Sequence, residues 1–178
     1  DKAHGVSIVF GGKVIAGTRA KKEFTKSYNA FSSINYPYIA AIQDGRIIFY
    51  IDDKDRDNDP LRFYHQMNSR IFLLKLIPGM DASILDALAP AYDGLIIESF
   101  GVGGLPDYGR KEFFSALKRW TEAGKPVCMA TQVTHEGSDM GIYQVGKIIK
   151  DLFPVLESYD MTPEACVTKL MWALGQTS

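Results

Sequence analysis

The stretch that decides the fold runs from Ile71 to Asp107 and reads IFLLKLIPGMDASILDALAPAYDGLIIESFGVGGLPD. Its opening run, 71–77, is apolar apart from one lysine, is too short for an ordinary helix and is typical of a buried strand. Pro78 and Gly79 follow, a pair that breaks the periodicity of strands and helices alike. The stretch therefore begins with a strand.

A helix and a second strand follow within the same stretch. Apolar residues recur at helical spacing after Asp81, whose side-chain oxygen can cap the first turn. A turn at Asp93 and Gly94 leads into a second apolar run, 95–97, which ends in the glycine-rich segment 98–106. Open α/β sheets place ligands in loops at the carboxyl ends of their strands. The segment 98–106 is thus the first candidate for a functional loop.

Strands continue to alternate with helices towards the end of the chain. The pattern predicts a strand and three helices, over 126–132, 109–123, 141–152 and 163–174. Thr162 and Pro163 have the residue types that favour a helix N-cap and first turn. This alternation predicts an α/β fold: a parallel sheet with helices on both faces.

The earlier part of the chain has a different pattern. Gly11-Gly12 and Asp44-Gly45 each separate two short apolar runs and predict tight hairpins. The segment 17–27 is basic and polar and predicts a loop, and 28–38 predicts an ordered but irregular segment. We therefore expect a hairpin-rich remnant of an amino-terminal α/β domain over 1–51.

The segment 52–60 is almost entirely charged or turn-forming. It is typical of a solvated connector, and we assign 52–70 as the linker to a carboxyl-terminal α/β domain over 71–178. Alternating aspartates suggest a calcium loop, but the required glycine and closing glutamate are absent. The sequence excludes that interpretation.

Composition excludes several classes of protein. The chain has 178 residues, 46% of them hydrophobic and 23% charged, with a formal net charge of -1. No charge run indicates a nucleic-acid or membrane-surface partner, and a small neutral or zwitterionic ligand fits better. No apolar run approaches the roughly 20 residues that span a bilayer. Cys128 and Cys166 have neither metal-type nor redox-pair spacing, which favours a reduced cytosolic setting.

Several catalytic motifs are missing from the sequence. His4, His65 and His135 have no metal-ligand spacing with Cys, Asp or Glu, so no metal site is expected. A Gly-x-Ser-x-Gly nucleophile motif does not occur. The glycines of 101–104 are interrupted by Pro106 before any helix, which disfavours dinucleotide binding. These residues therefore offer no motif for a metal site or for dinucleotide binding.

Four stretches stand out together over about Val6 to Gln176: GTRAKK at 17–22, NAFSSINYP at 29–37, SFGVG at 99–103 and DMTPEACVTKL at 160–170. In this order and with this approximate spacing, they resemble the bacterial cytoplasmic, or type I, L-asparaginases. Each motif alone is modest, whereas the four in this order are specific.

The resemblance implies both a fold and an activity. That family has two α/β domains and hydrolyses asparagine to aspartate and ammonia with a threonine nucleophile and without a metal or organic cofactor. Its Gly-Gly-Thr and His-Gly-Thr-Asp-Thr motifs do not occur here, and the chain begins at Asp1. We therefore expect the carboxyl-terminal half of a cytoplasmic homodimer or homotetramer, inactive without a missing amino-terminal portion of the same protein.

The resemblance also assigns candidate site residues. Lys22 matches the family's catalytic lysine, whose ammonium near a carboxylate can exchange protons with a hydroxyl. Its neighbour Lys21 is expected to be a surface charge. A possible effector or interface loop includes four further residues, Glu98, Gly104, Thr131 and Asp139. The substrate-binding residues remain unassigned.

Two departures from the family pattern affect that loop. Gly104 stands where some members place an asparagine used across a subunit interface, and Glu98 stands where some type I enzymes place an arginine for a regulatory asparagine. The carboxylate reverses the charge that a ligand carboxylate would meet. Such an interface contact and such regulation are therefore expected to be absent or altered.

Two other functions are compatible with the same residues. One is the asparaginase-like subunit of a tRNA-dependent amidotransferase, which releases ammonia and carries an extra amino-terminal domain. The other is a binding module without catalysis, in which the glycine-rich loop after Phe100 holds a small ligand. The upstream sequence would separate these alternatives.

Overall fold

The computed structural model describes residues 5–51, 60, 62–106, 112–142 and 144–176. It divides into two compact units, residues 1–65 and 66–178. Apart from Pro60, the charged connector 52–60 lies outside the described residues, as does the calcium-loop alternative that falls on it.

The described residues of the first unit form six short strands. They are β1 (Ser7–Phe10), β2 (Lys13–Ala16), β3 (Ala20–Lys22), β4 (Phe31–Ser33), β5 (Ala40–Gln43) and β6 (Arg46–Phe49). Four of them form an antiparallel sheet in the order β1-β2-β5-β6, and β3 pairs with β4. The buried apolar side chains of this unit come from both sheets and their connections: Ile15, Ala30, Ile34, Ala40 and Ala41.

Both predicted hairpins are confirmed. Gly11 and Gly12 have φ angles of 56° and 73°, and Asp44 and Gly45 have 48° and 70°. Two successive positive φ angles match the right-handed twist of a two-residue hairpin, and glycine and aspartate tolerate them. These loops set the register of β1 with β2 and of β5 with β6.

The prediction of a loop over 17–27 is wrong in its first half. A 3-10 turn at Gly17–Arg19 is followed by β3, which pairs antiparallel with β4. In that register Lys21 lies opposite Ser32, and Lys22 lies opposite Phe31. A polar segment of three residues has no alternation of apolar and polar residues that would predict a strand. The strand forms because the segment pairs with β4.

The second unit alternates strands and helices. Its elements are β7 (Ile71–Lys75), α1 (Ser83–Leu88), β8 (Gly94–Ser99), α2 (Glu112–Glu122), β9 (Val127–Thr131), α3 (Gln144–Leu152), β10 (Leu156–Glu157) and α4 (Pro163–Gly175). All neighbouring strands run parallel, in the order β10-β9-β8-β7. The predicted α/β class is confirmed; β10, which has two residues, was not predicted.

The two faces of this sheet bury different side chains. Leu95 and Ile97 pack in one cluster with side chains of α1, α2 and α3, and the intervening Ile96 packs in another with Cys166 and Leu170 of α4. This is the period-two alternation of a strand buried on both faces. Right-handed crossovers between successive parallel strands place α1, α2 and α3 on the same face of the sheet. The last helix, α4, packs on the opposite face.

Two hydrogen bonds fix helices at their predicted places. The Thr162 hydroxyl accepts the Ala165 N–H at 3.2 Å and caps α4 as predicted. Asp81 Oδ1 accepts the Ser83 N–H at 2.8 Å at the start of α1, which begins two residues later than Asp81. In the described part of the chain, helices are too short or too polar to cross a lipid bilayer.

Candidate functional site

The glycine-rich loop closes on itself where β8 ends. The Gly104 N–H donates to the Phe100 carbonyl at 2.9 Å, and the Phe100 N–H donates to the Gly104 carbonyl at 3.2 Å. Between them Gly101 and Gly103 have φ angles of 52° and 140°. Glycine is favoured at such angles because a Cβ atom strains them. We call residues 100–104 the glycine loop.

Thr131, the last residue of β9, holds the glycine loop from one side. Its hydroxyl is within hydrogen-bonding distance of the Gly101 carbonyl and accepts the Val133 N–H at 3.0 Å. The residue is 6% exposed. Because its hydroxyl is used inside the protein, Thr131 supports the loop rather than offering a free hydroxyl to a ligand.

Glu98 lies beside the loop, near the carboxyl end of β8. Its side chain is half-buried, and its register neighbours are Lys75 on β7 and Ala130 on β9. The Glu98 carbonyl accepts a hydrogen bond from Gln132 Nε2 at 3.0 Å, and the same amide donates to the Leu76 carbonyl at 2.6 Å. Gln132 therefore links the ends of β7 and β8.

Asp139 approaches the same loop through its main chain. Its N–H donates to the Val102 carbonyl at 3.0 Å. Its exposed carboxylate accepts the Gly141 N–H at 2.8 Å, in a local turn. Glu98, Gly104, Thr131 and Asp139 are thus gathered around one loop at the carboxyl edge of the parallel sheet.

The buried carboxylate of Glu157 holds the segment that precedes α3. The Glu157 side chain is 2% exposed, and its Oε2 lies 2.7 Å from Lys150 Nζ. Its Oε1 accepts the Met140 N–H at 2.5 Å. The carboxylate, as hydrogen-bond acceptor and counter-charge, raises the pKa of Lys150 above its ordinary value. Glu157 thereby fixes the segment next to Asp139.

The sequence places Gln132 with Thr131 and Asp139 among residues that could line an interdomain or intersubunit region but assigns it no role, and it does not include Met140 or Glu157. Each acts through a contact with residues distant in the sequence, such as Gln132 with Leu76 and Glu157 with Met140. The available signal was position: Gln132 follows β9 directly, at the edge where the glycine loop begins. Glu157 lies on β10, which the sequence pattern does not reveal.

Lys22 lies in the first unit, at the end of β3. Its side chain is exposed, and its Nζ lies 6.0 Å from the centroid of the Phe31 ring. Lys21, expected to be a surface charge, is half-buried. The alternation of β3 points neighbouring side chains to opposite faces and thus gives the two lysines different surroundings.

Other cations of this unit also lie over aromatic rings. Lys13 Nζ is 5.0 Å from the Tyr38 ring centroid, and Arg19 Cζ is 5.4 Å from that of Tyr36. Such distances are within the range of cation–π attraction. Aromatic residues of 28–38 therefore lie close to cations of β2, of the 3-10 turn and of β3.

Within the described residues, no group of three or more His, Cys, Asp or Glu side chains could hold a metal ion. Of the three histidines, His65 stacks against Phe63 with ring centroids 5.9 Å apart, and His4 lies outside the described residues. The first unit offers instead an ammonium group on β3, and the second unit offers the glycine loop with two acidic residues, Glu98 and Asp139, next to it.

Comparison with known proteins gives the family context. The Glutaminase/Asparaginase C-terminal domain matches residues 70–178, and the Asparaginase, N-terminal model matches residues 1–55. An L-asparaginase of Thermococcus kodakarensis is 36% identical over 173 residues, which are 97% of this chain and 52% of that protein. A Glutamyl-tRNA(Gln) amidotransferase subunit of Pyrococcus furiosus is 34% identical over 91% of this chain and 36% of its own length.

Solved structures give the same context. The thermostable L-asparaginase from Thermococcus kodakarensis matches with a TM-score of 0.89 and 36% identity, over 97% of this chain and 52% of that chain. L-asparaginase I from Vibrio cholerae matches with a TM-score of 0.85 and 26% identity, also over 97% and 52%. The chain spans about half the length of the L-asparaginases it matches. The match of the carboxyl-terminal domain model to more than half of the residues shows that the chain belongs to the glutaminase/asparaginase family.

Proposed function

We propose that this chain is the carboxyl-terminal portion of a cytoplasmic amidohydrolase that hydrolyses the side-chain amide of asparagine to aspartate and ammonia. One observation carries the proposal: similarity to an L-asparaginase is continuous, at 36% identity over 97% of this chain. The narrower assignment to the bacterial type I enzymes is part of this proposal. A threonine nucleophile would come from the amino-terminal portion of the same protein.

In this proposal Lys22 completes the catalytic group. An ammonium group beside a carboxylate, in a partly desolvated site, can pass a proton to or from a hydroxyl nucleophile or water. The exposed position of Lys22 at the end of β3 supports the role, since its ammonium can reach residues supplied from outside this chain. The strand pairing with β4 would fix the direction of the side chain.

The glycine loop has a second role in this proposal, as an effector or interface loop. Two acidic residues adjoin it: Glu98 precedes it on β8, and the Asp139 main chain contacts it at Val102. Two acidic side chains disfavour the carboxylate of a free amino acid and favour a cationic group. A contact with another subunit of a homodimer or homotetramer fits this charge better than a regulatory asparagine does.

The test of the activity compares two proteins. The 178-residue chain and the complete protein that contains it are each incubated with L-asparagine and, separately, with L-glutamine. Aspartate or glutamate and ammonia are then quantified. We expect release by the complete protein, faster with asparagine, and none by the shorter chain. Absence of release from both amino acids by the folded complete protein would exclude the hydrolase.

The amidotransferase subunit is the second candidate, and a specific observation favours it. A relative described as a Glutamyl-tRNA(Gln) amidotransferase subunit reaches 34% identity, close to the 36% of the L-asparaginase. This chain covers 36% of the amidotransferase protein but 52% of the L-asparaginase, so the former has additional sequence. Ammonia release that requires a partner protein and tRNA would support this candidate, and release by the protein alone would support the first.

A further inference from the structure

The fold brings together two cysteines that are far apart in the sequence. Cys128 lies on β9 and Cys166 on α4, 38 residues later, and their Sγ atoms are 3.4 Å apart. Both are free thiols. The sequence-based expectation that they do not form a redox pair rested on spacing along the chain, which does not show that β9 and α4 pack against each other.

Both thiols are buried but are not sealed from solvent. Cys128 is 4% exposed and Cys166 is 3% exposed. Both line an open cavity of about 360 Å³ between the sheet and α4, with walls that include Leu156, Tyr159 and Leu170. A cavity of this size admits a small molecule. The sulfur atoms can therefore be reached from the cavity without unfolding.

The two sulfurs are chemically different. Either sulfur can donate the hydrogen bond between them; with Cys128 as the donor, this bond lowers the pKa of Cys166, which burial raises and the nearby Lys169 ammonium lowers. The same hydrogen bond and burial raise the pKa of Cys128, as does the Glu157 carboxylate. The thiolate, which is the reactive form of cysteine, therefore forms at Cys166.

We propose that Cys128 and Cys166 are a site of reversible oxidation, at which a small hydroperoxide entering the cavity converts the two thiols into a disulfide. The Cys166 thiolate attacks the hydroperoxide, the O–O bond breaks, and water or an alcohol leaves after taking a proton. Cys166 is then a sulfenic acid. Cys128 loses its proton and attacks that sulfur, the S–O bond breaks, and water leaves.

The reaction balances as a two-electron exchange. The two thiols together lose two electrons and two protons, and the O–O bond of the hydroperoxide takes them up. The disulfide would join strand β9 covalently to α4, the helix that covers one face of the sheet. The link lowers the entropy of the unfolded chain, so the oxidised protein resists unfolding more than the reduced one.

The primary test needs no substitution. The folded full chain is treated with hydrogen peroxide in about tenfold molar excess, free thiols are blocked with N-ethylmaleimide, and the intact mass and peptide map are measured. We expect the mass to fall by two hydrogen atoms, with a peptide joining Cys128 to Cys166 that dithiothreitol separates. The 178 residues contain two cysteines, so a peptide that joins them identifies this disulfide directly.

Thermal unfolding supplies an independent readout. The oxidised chain should unfold about 5–15 °C above the reduced chain, because the disulfide closes a long loop. An unchanged midpoint despite the linked peptide would show that the link does not hold α4. Sulfinic acid without a linked peptide, a disulfide between two molecules, or no reaction in the folded state would each overturn the proposal.

Variants test the order of the steps. In Cys128→Ser the sulfenic acid at Cys166 has no thiol to react with, so dimedone should trap it, whereas Cys166→Ser should give little trapping at Cys128. Lys169→Ala should slow the oxidation of Cys166 by a few fold, since it removes the nearby ammonium. Lys147→Ala, on the exposed surface of α3, is the matched control and should leave the rate unchanged. Faster trapping at Cys128 would reverse the assignment.

Discussion

Met140 packs against Gly103, so that a Cβ atom added to Gly103 would lie 2.9 Å from Met140 Cγ. Gly103 also has a φ angle of 140°, which residues with a side chain rarely adopt. Gly103→Ala should therefore lower the free energy of unfolding by about 2–3 kcal/mol, from backbone strain and the displaced methionine. Urea denaturation of the two proteins measures the difference.

Gly101 provides the matched control for that substitution. Its φ angle is also positive, at 52°, but nothing lies within 4 Å of an added Cβ atom. Gly101→Ala should cost about 1 kcal/mol from the backbone alone. Equal losses in the two variants would contradict the role assigned to the Gly103–Met140 contact.

The Glu157 carboxylate should be important for stability because it is buried and accepts two hydrogen bonds. Glu157→Gln removes the charge that receives the Met140 N–H and the Lys150 ammonium. We expect a loss of about 2 kcal/mol in the free energy of unfolding. Glu122→Gln is the control, since Glu122 pairs with Lys118 at 3.5 Å on the exposed surface and should change stability by less than about 0.5 kcal/mol.

The Arg119–Asp86 pair predicts a dependence of stability on pH. The Arg119 guanidinium donates two hydrogen bonds to Asp86, of 2.8 and 2.7 Å, and this lowers the pKa of Asp86. The stabilisation is therefore fully present above the unfolded-state pKa of about 3.9 and is lost as the pH falls through the folded-state value. Below about pH 4 the urea midpoint of the wild type should fall more steeply than that of Asp86→Asn.

Arg119→Gln should likewise make the urea midpoint fall less steeply at acidic pH, since Asp86 then lacks its cationic partner. The double variant should behave like either single variant. If the urea midpoint of Asp86→Asn falls as steeply at acidic pH as that of the wild type, other carboxylates determine the pH dependence. Denaturation midpoints between about pH 2 and 6 give the comparison.

Lys22 is tested in the complete protein. Lys22→Ala should reduce turnover of asparagine by at least about a hundredfold, because general acid–base groups contribute factors of this size. Its unfolding midpoint should stay close to that of the wild type, since the side chain is exposed. Lys21→Ala, one residue away on the other face of β3, is the control. Near-normal turnover of Lys22→Ala would remove the catalytic role.

The parallel sheet could be predicted because each buried strand carries its own signal. The runs at 71–77, 95–97 and 126–132 are mainly apolar, each has a glycine or proline near one end, and each corresponds to a strand. The strands β3 and β10 lack such a signal, since they are short and gain their order from a partner strand. Local pattern reveals elements that are apolar along their length and misses those created by pairing.

In the candidate site, too, features of local sequence could be predicted and long-range contacts could not. The glycine loop could be located from its glycines and from its position after a strand, which are local features. The groups that brace it could not, because Gln132 and Glu157 act on carbonyl and amide groups 56 and 17 residues away. The proximity of Cys128 to Cys166 is a further example, since it depends on which face of the sheet α4 covers.

The placement of α4 has a consequence for synthesis of the chain. Three helices cover one side of the parallel sheet as they emerge, but Ile96 and Cys128 on the opposite side are covered by a helix that spans Pro163–Gly175. Until the ribosome has released that helix, half of the sheet remains an unprotected apolar surface. A premature stop codon before residue 163 should thus yield a product that aggregates or is degraded, rather than a smaller folded domain.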